Sequence, residues 1–301
     1  MINLCSPRSV QQLLAAHGLK PSKSLGQNFL IDANYLDKIV AAAAISPSDT
    51  VLEVGPGLGT LTRALAERAG RVLAIEKDRR LQPVLAEVLA GLPVEVFFTD
   101  ALQVDYAQLL SGATQPKVVA NLPYYVTTPL MVNLLLSGIR WERLVFLVQR
   151  ELIERIAAQP GNKSYGLLSI VTQFFSTPKL IATVPPRAFY PAPKVESAVV
   201  QLLPLDVSSH GLRAGVQQLV QVARAALAQR RKTLLNALAV RLPAPREDLQ
   251  QAIADLGWAP DRRGETLSVS ELVALTNRIA GDWSRATAKA TQRHSERGEE
   301  S

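Results

Sequence analysis

Residues 50–66 have the sequence TVLEVGPGLGTLTRALA, and this stretch decides the fold. It begins with a short apolar run typical of a strand and ends with residues that favour a helix. Between them lies a loop in which Gly55, Gly57 and Gly59 would let the backbone turn tightly and approach a ligand closely. A glycine-rich loop between a strand and a helix suggests a ligand-binding site, although the loop alone is a weak signal.

The same alternation continues along the first half of the chain. Short β-branched runs separated by helical stretches predict βαβ units and a mostly parallel sheet. The predicted strands are Thr50–Val54, Arg71–Ile75, Val94–Phe98, Lys117–Ala120 and Arg143–Val148, and the predicted helices include Thr60–Ala69, Leu81–Leu89 and Gly166–Phe175. Two further runs, Lys179–Val184 and Ser197–Leu203, flank a proline-rich loop and predict an antiparallel hairpin at the sheet edge.

The sequence changes character near residue 206. Beyond it, Ala, Leu, Gln and Arg recur at helical spacing, which predicts helices at Val216–Leu238, Arg246–Leu256 and Ser270–Ile279. We therefore expect an α/β domain over residues 1–205, a smaller helical domain over residues 206–283, and a disordered tail over residues 284–301.

Composition narrows the class of protein. The chain has 301 residues, of which 48% are hydrophobic and 20% charged, so we expect a folded globular protein. Its longest apolar run, Ile39–Ile45, is too short to span a bilayer, the first residues do not resemble a secretion signal, and Cys5 is the single cysteine. We therefore expect a cytoplasmic protein that does not span a membrane.

Charge points toward a polyanion. The net charge is +7 and the isoelectric point is near 9.7, which suggests nucleic acid or anionic lipid as a partner. The alternative is a basic surface that serves only solubility. With three histidines and one cysteine, we expect no metal site.

Acidic residues follow the next two predicted strands. Glu76 stands about twenty residues after the glycine loop, where a carboxylate can accept both ribose hydroxyls of a nucleoside, and Asp100 could accept an adenine amino group. Helix capping is the alternative explanation for such acids. The dinucleotide pattern G-x-G-x-x-G fails at Thr60, which disfavours a nicotinamide-dependent oxidoreductase. The set resembles the Rossmann-like methyltransferase superfamily, which implies S-adenosyl-L-methionine as cofactor.

The fourth predicted strand ends in the sequence Asn121-Leu122-Pro123-Tyr124. An exocyclic aromatic amine is a poor nucleophile because its lone pair is delocalised. The Asn121 carboxamide and the Leu122 carbonyl could accept its two protons, while Tyr124 stacks on the base and the proline stiffens the loop. Phe189 could close the opposite face of a flipped base. A turn with packed aromatic residues is the alternative.

These segments together resemble the bacterial small-subunit ribosomal RNA adenine N6,N6-dimethyltransferase family, of the kasugamycin-resistance type. Seven segments match in order, over about residues 20–275: KSLGQNFLID, EVGPGLGTLT, NLPYYVTTPL, FLVQREL, KSYGLLS, FYPAPKVESAVV and QRRKTLLNAL. The sequence departs from the commonest family pattern at Thr99, where glycine is usual, and at Tyr125-Val126, where Asn-Ile is frequent.

The resemblance implies roles for individual residues. The cofactor-binding set would be Asn28, Leu30, Gly55, Gly57, Glu76, Asp100 and Asn121, and the catalytic set Asn121, Tyr124 and Phe189. It also implies an S-adenosylmethionine-dependent monomeric enzyme. Its substrate would be two adjacent adenosines in the 3′-terminal hairpin of small-subunit rRNA, within a pre-ribosomal particle.

The sequence leaves open two alternative functions and the role of three basic residues. A relative that dimethylates large-subunit rRNA would share the chemistry, and a non-catalytic ribosome-assembly factor would share the fold. In the helical domain Arg230, Arg231 and Lys232 could contact RNA phosphates, or could be paired or simply solvated.

Overall fold

Nine strands and twelve α-helices lie within residues 2–280, the part of the chain that the computed structural model describes. The strands are β1 (Phe29–Leu30), β2 (Thr50–Val54), β3 (Arg71–Glu76), β4 (Val94–Phe98), β5 (Lys117–Asn121), β6 (Arg143–Gln149), β7 (Ser176–Val184), β8 (Phe189–Tyr190) and β9 (Ser197–Pro204). The helices are α1 (Pro7–Ala16), α2 (Ala33–Ala43), α3 (Thr60–Ala66), α4 (Gln82–Val88), α5 (Tyr106–Leu109), α6 (Thr127–Leu136), α7 (Arg150–Ile156), α8 (Leu167–Phe175), α9 (Val216–Leu227), α10 (Leu234–Arg241), α11 (Arg246–Asp255) and α12 (269–280). Within residues 2–280, each helix is too short or too polar to cross a membrane.

Seven strands form the central sheet, in the order β4-β3-β2-β5-β6-β9-β7. The first five are mutually parallel, and β9 runs antiparallel to β6 and β7. Strands β2, β3, β5 and β6 are almost entirely buried, as expected for apolar strands covered on both faces. The mostly parallel sheet with an antiparallel edge hairpin is confirmed.

The strand order reverses beside β2. The chain passes from β2 outward through β3 to β4, then returns to place β5 on the other side of β2. In open α/β sheets, ligands bind in the crevice at the carboxyl ends of the strands where this reversal occurs. The sheet therefore places the residues that follow β2, β3, β4 and β5 around one crevice.

A second, two-stranded sheet was not predicted. Strand β1 pairs antiparallel with β8, with Phe29 opposite Tyr190 and Leu30 opposite Phe189. The pairing joins the segment that precedes α2 to the proline-rich loop before β9. Strands of two residues carry no periodic signal, so only the folded chain reveals this contact.

The residue contacts divide the described chain into two units. One contains residues 2–154 and 176–204, and the other contains residues 155–175 and 205–280. The sequence placed residues 155–175 in the first domain, whereas these contacts group them with the helical unit. There Tyr165 and Phe174 are fully buried in a core with residues of α9 to α12, and the Tyr165 hydroxyl donates to the Leu267 carbonyl over 2.8 Å. The predicted tail, residues 284–301, lies outside the described residues.

The single helix predicted over Val216–Leu238 was wrong. Helix α9 ends at Leu227 and α10 begins at Leu234, with Arg230, Arg231 and Lys232 in the turn between them. Tertiary contacts account for the break, because the Leu234 amide donates to the Arg262 carbonyl over 2.7 Å. A Cβ atom on Gly264 would stand only 2.1 Å from the Ala226 carbonyl oxygen, so this backbone packs directly on the end of α9.

Three side chains from the sheet anchor the carboxyl end of α2. The carbonyl of Ala42 accepts hydrogen bonds from Arg143 and Gln201 over 3.1 Å and 2.6 Å, and that of Ala44 accepts one from the Lys117 ammonium over 2.7 Å. Lys117 is 2% exposed and also lies 2.6 Å from Asp49. These donors satisfy carbonyls that have no partner within a helix.

Candidate active site

A cavity that is open to solvent lies at the carboxyl ends of the parallel strands. Eight of the nine predicted site residues line it: Asn28, Leu30, Gly55, Gly57, Glu76, Asp100, Asn121 and Tyr124. The sheet thus brings together residues that are separated by up to 96 positions in the sequence.

The glycine loop forms the floor between β2 and α3. Gly55 and Gly57 have φ angles of +75° and +58°, in the left-handed region that favours glycine. A Cβ atom on Gly57 would lie 3.1 Å from the Phe29 ring, so the loop packs closely under the segment containing β1. On the other side, a Cβ atom on Gly55 would lie 3.6 Å from the main-chain oxygen of Asn121.

Glu76 ties the glycine loop to the end of β3. One carboxylate oxygen accepts from the Gly57 amide over 3.1 Å, and the other accepts from the Asp78 amide over 2.8 Å. Burial raises the pKa of Glu76, and these backbone donors oppose the shift. The carboxylate is therefore oriented by main-chain amides and keeps acceptor capacity for a ligand hydroxyl.

Asp100 combines two roles at the end of β4. Its Oδ1 atom accepts from the Leu102 amide over 3.0 Å, which caps the following turn, and its Oδ2 atom lies 2.8 Å from the Lys77 ammonium. The hydrogen bond from Lys77 lowers the pKa of Asp100, so the carboxylate stays ionised at neutral pH. The capping alternative therefore applies to Asp100, while its place on the cavity wall keeps it available to a ligand.

Glu53 is a site residue that the sequence did not assign to a ligand contact. Its side chain is 1% exposed, its Oε2 atom has no hydrogen-bond partner among residues 2–280, and it lines the cavity. Burial raises the pKa of this carboxyl to about 8. A buried oxygen without a partner suits a ligand that brings a donor or a positive charge, as the ammonium group of an amino-acid moiety would. The signal available in the sequence was its position two residues before Gly55.

Asn121 lies where β5 ends, beside the glycine loop. Its side-chain nitrogen donates to the main-chain carbonyl of Asn28 over 3.2 Å. Because the nitrogen is committed to that carbonyl, the amide is oriented and its oxygen remains free to accept. The Asn28 side chain in turn donates to the Gly26 carbonyl over 3.0 Å, so the segment before β1 is linked to the predicted catalytic amide.

A glutamine side chain attaches that same segment to the end of β3. The Gln27 nitrogen donates to Asp78 over 2.9 Å, and its oxygen accepts from the Ser22 amide over 2.7 Å. Sequence reasoning assigned roles to Asn28 and Leu30 but none to Gln27. The pairing with Asp78 joins residues 51 positions apart, so no local pattern could have found it.

The two predicted aromatic residues, Tyr124 and Phe189, lie in different surroundings. Tyr124 lines the cavity, and burial raises the pKa of its hydroxyl, which lies 2.7 Å from the Ser197 hydroxyl. Phe189 is 3% exposed and packs in the core instead of lining the cavity, because its strand pairs with β1. The role of Phe189 as the second aromatic face for a base stays a prediction. Tyr125, which is 53% exposed, lines the cavity.

The basic residues in the turn after α9 are not equivalent. Arg230 donates to the main-chain carbonyls of Lys163 and Tyr165 and lies 3.8 Å from Glu265, so it holds the helical unit together. Arg231 and Lys232 are exposed. The paired alternative therefore applies to Arg230, and the other two cations keep their charge at the surface.

The fold and the cavity define a class of protein. A parallel sheet with a glycine loop after its first long strand, acids after the next two strands and Asn-Leu-Pro-Tyr after the fourth is a Rossmann-like methyltransferase arrangement. Among residues 2–280, no group of three or more His, Cys, Asp or Glu side chains is placed to hold a metal ion.

Comparison with known proteins identifies the family. The model of the ribosomal RNA adenine dimethylase family matches residues 18–280, and the chain belongs to this family. A ribosomal RNA small subunit methyltransferase A from Pelotomaculum thermopropionicum is 46% identical over 288 residues, which cover 92% of this chain and 97% of the relative. The protein of that name from Deinococcus radiodurans is 47% identical over 273 residues, 90% of each chain.

Solved structures agree with this assignment. A dimethyladenosine transferase from Plasmodium falciparum has a TM-score of 0.67 and 26% identity, covering 82% of this chain and 95% of the other. The 23S rRNA methyltransferase ErmE has a TM-score of 0.60 and 24% identity, covering 84% of this chain and all of the other, and at that identity it supports the fold alone. Family membership excludes the oxidoreductase alternative.

Proposed function

We propose that this protein transfers methyl groups from S-adenosyl-L-methionine to N6 of adenosines in small-subunit rRNA, giving N6,N6-dimethyladenosine. The observation that carries the proposal is the oriented Asn121 amide, whose nitrogen is held by the Asn28 carbonyl and whose oxygen is free beside the glycine loop. The names of the relatives and the family description support the same reaction.

The cavity suits this cofactor in three places. Glu76 and Asp100 would accept hydrogen bonds from ribose hydroxyls and from the adenine amino group. Glu53 would accept from the ammonium of the methionine portion, which would satisfy its unpartnered oxygen. When bound, S-adenosylmethionine supplies an electrophilic methyl group on a sulfonium, and the protein contributes position and hydrogen bonds.

The residues at the end of β5 would activate the acceptor. The Asn121 oxygen and the Leu122 carbonyl accept the two N–H protons of the adenine amine, which directs the nitrogen lone pair toward the methyl carbon. Tyr124 stacks on the base and contributes about 1–3 kcal/mol to holding it. The bond from nitrogen to the methyl carbon would form as the methyl–sulfur bond breaks, which would leave S-adenosylhomocysteine. The methylated nitrogen would then release one proton to water, so no side-chain base is required. The second transfer proceeds with one N–H donor fewer.

Family membership and surface charge both support ribosomal RNA as the substrate. We propose two adjacent adenosines in the 3′-terminal hairpin, recognised within a pre-ribosomal particle in the cytoplasm, with Arg231 and Lys232 of the helical unit contacting phosphates. Arg230 does not belong to this set, because it donates a hydrogen bond to the Lys163 carbonyl within its own unit.

Labelled cofactor tests the proposal. Undermethylated small ribosomal subunits, intact large subunits and free large-subunit rRNA are each incubated with the protein, and the nucleosides are separated after digestion. We expect labelled dimethyladenosine from small subunits alone. Label in large-subunit rRNA would favour the related large-subunit activity, and no label in any sample would favour a non-catalytic assembly factor.

A further inference from the structure

A hydrogen bond connects the proposed base-stacking tyrosine to the antiparallel edge of the sheet. The Tyr124 hydroxyl lies 2.7 Å from the Ser197 hydroxyl, and either oxygen can be the donor. The two residues are 73 positions apart and belong to separate matching segments, NLPYYVTTPL and FYPAPKVESAVV. No role was assigned to Ser197 on sequence grounds.

Ser197 is held firmly by its neighbours. It is fully buried, and in the sheet it lies opposite Gln149 of β6 on one side and Val184 of β7 on the other. A residue between two paired strands has little freedom to move, so its hydroxyl is a fixed point.

Tyr124, in contrast, lies in an irregular turn. This turn is held at its base, where the Pro123 carbonyl accepts from the Val126 amide over 3.1 Å and from the Thr127 hydroxyl over 2.9 Å. These bonds fix the main chain but leave the tyrosine ring two rotatable side-chain bonds. The bond to Ser197 restrains the far end of the ring and therefore its plane.

We propose that Ser197 is a positioning residue that sets the ring plane of Tyr124, and through it the tilt of the target adenine relative to Asn121. This inference rests on the proposed function, because it assumes that an adenine stacks on Tyr124. A tilted base would present its amine off the line of attack, so accurate placement matters for the rate more than for cofactor binding.

Four variants test the proposal in the full-length protein: Ser197→Ala, Tyr124→Phe, the double variant, and Ser169→Ala as a control. Ser169 is likewise fully buried and hydrogen-bonded, to the Arg155 carbonyl and the Gly166 amide, but lies outside the cavity. The readouts are the single-turnover methyl-transfer rate on undermethylated small subunits, the ratio of monomethyl to dimethyl product, and the Kd for S-adenosylmethionine.

We expect Ser197→Ala to slow transfer about three- to tenfold, the range for loss of one neutral hydrogen bond. Monomethyl product should accumulate, and the cofactor Kd should change by less than about twofold. Tyr124→Phe should slow transfer by a similar factor to Ser197→Ala. The effects should not add in the double variant, whose rate should equal that of the slower single variant, because both changes remove the same hydrogen bond.

Three results would overturn the inference while leaving the proposed function intact. They are a wild-type rate in Ser197→Ala, single-variant effects that multiply in the double variant, and an equal loss of rate in Ser169→Ala. A wild-type protein that produces no dimethyladenosine would overturn the proposed function and this inference together.

Discussion

Replacing Asn121 by alanine tests the main feature of the site. The change removes the oxygen that would accept the amine proton and the nitrogen that donates to the Asn28 carbonyl over 3.2 Å. A preorganised hydrogen-bond partner of this kind lowers the activation free energy by about 2.7–4 kcal/mol, so its loss should slow transfer about 10²- to 10³-fold. The lost bond to Asn28 should lower the free energy of unfolding by about 1 kcal/mol.

The assay separates chemistry from folding and from cofactor binding. Single-turnover transfer to undermethylated small subunits gives the rate, calorimetric titration gives the Kd for S-adenosylmethionine, and urea denaturation gives the stability. Asn162→Ala is the matched control, because Asn162 also bonds to the main chain through its side-chain amide but lies outside the cavity. We expect this control to transfer methyl groups at the wild-type rate.

The reasoning would be refuted by a fast Asn121→Ala variant. A residual rate above one tenth of wild type corresponds to less than about 1.4 kcal/mol, which is too small for an acceptor that activates the nucleophile. A large loss of rate that matched an equal loss of cofactor affinity would instead make Asn121 a cofactor ligand only.

Three further predictions concern the cofactor loop, a buried carboxyl and the frame of the sheet. Gly57→Ala should weaken S-adenosylmethionine binding at least about fivefold, because its Cβ would lie 3.1 Å from an aromatic ring. Gly91→Ala is the control, because Gly91 also has a positive φ but its Cβ would meet nothing within 4 Å. In the same calorimetric titration this control should bind the cofactor with wild-type affinity. The cofactor-free protein should lose stability as the pH rises from the usual carboxyl pKa of 4.5 toward about 8, because folding favours the protonated form of Glu53. Urea unfolding midpoints at pH 5, 6.5 and 8 should therefore depend less on pH in Glu53→Gln than in the wild type. Equal pH dependence in the two proteins would contradict this. Lys117→Met should lower the free energy of unfolding by about 3 kcal/mol, because it leaves the Asp49 carboxylate and the Ala44 carbonyl without their buried cation. A urea unfolding midpoint equal to that of the wild type would contradict this prediction.

The residues at strand ends show how much of the site the sequence determined. Gly55, Glu76, Asp100 and Asn121 each follow an apolar run that could be recognised as a strand, and parallel strands bring such ends to one edge. The local patterns therefore predicted both the sheet and most of the cavity wall before any contact was known. The burial of Phe189 was not predictable in this way, because it follows from the pairing of Phe189 with Leu30, 159 positions earlier in the chain.

The apolar periodicity and the glycine loop were sufficient to predict the parallel sheet, its edge hairpin and the residues at the strand ends. This was possible because strand formation and burial produce local patterns in the sequence. The tertiary structure alone decided the pairing of β1 with β8, the grouping of residues 155–175 with the helical unit, the break between α9 and α10, and the bond from Tyr124 to Ser197. Each of these depends on groups that meet only after distant segments pack, and a hydrogen bond between side chains 73 positions apart has no local signature.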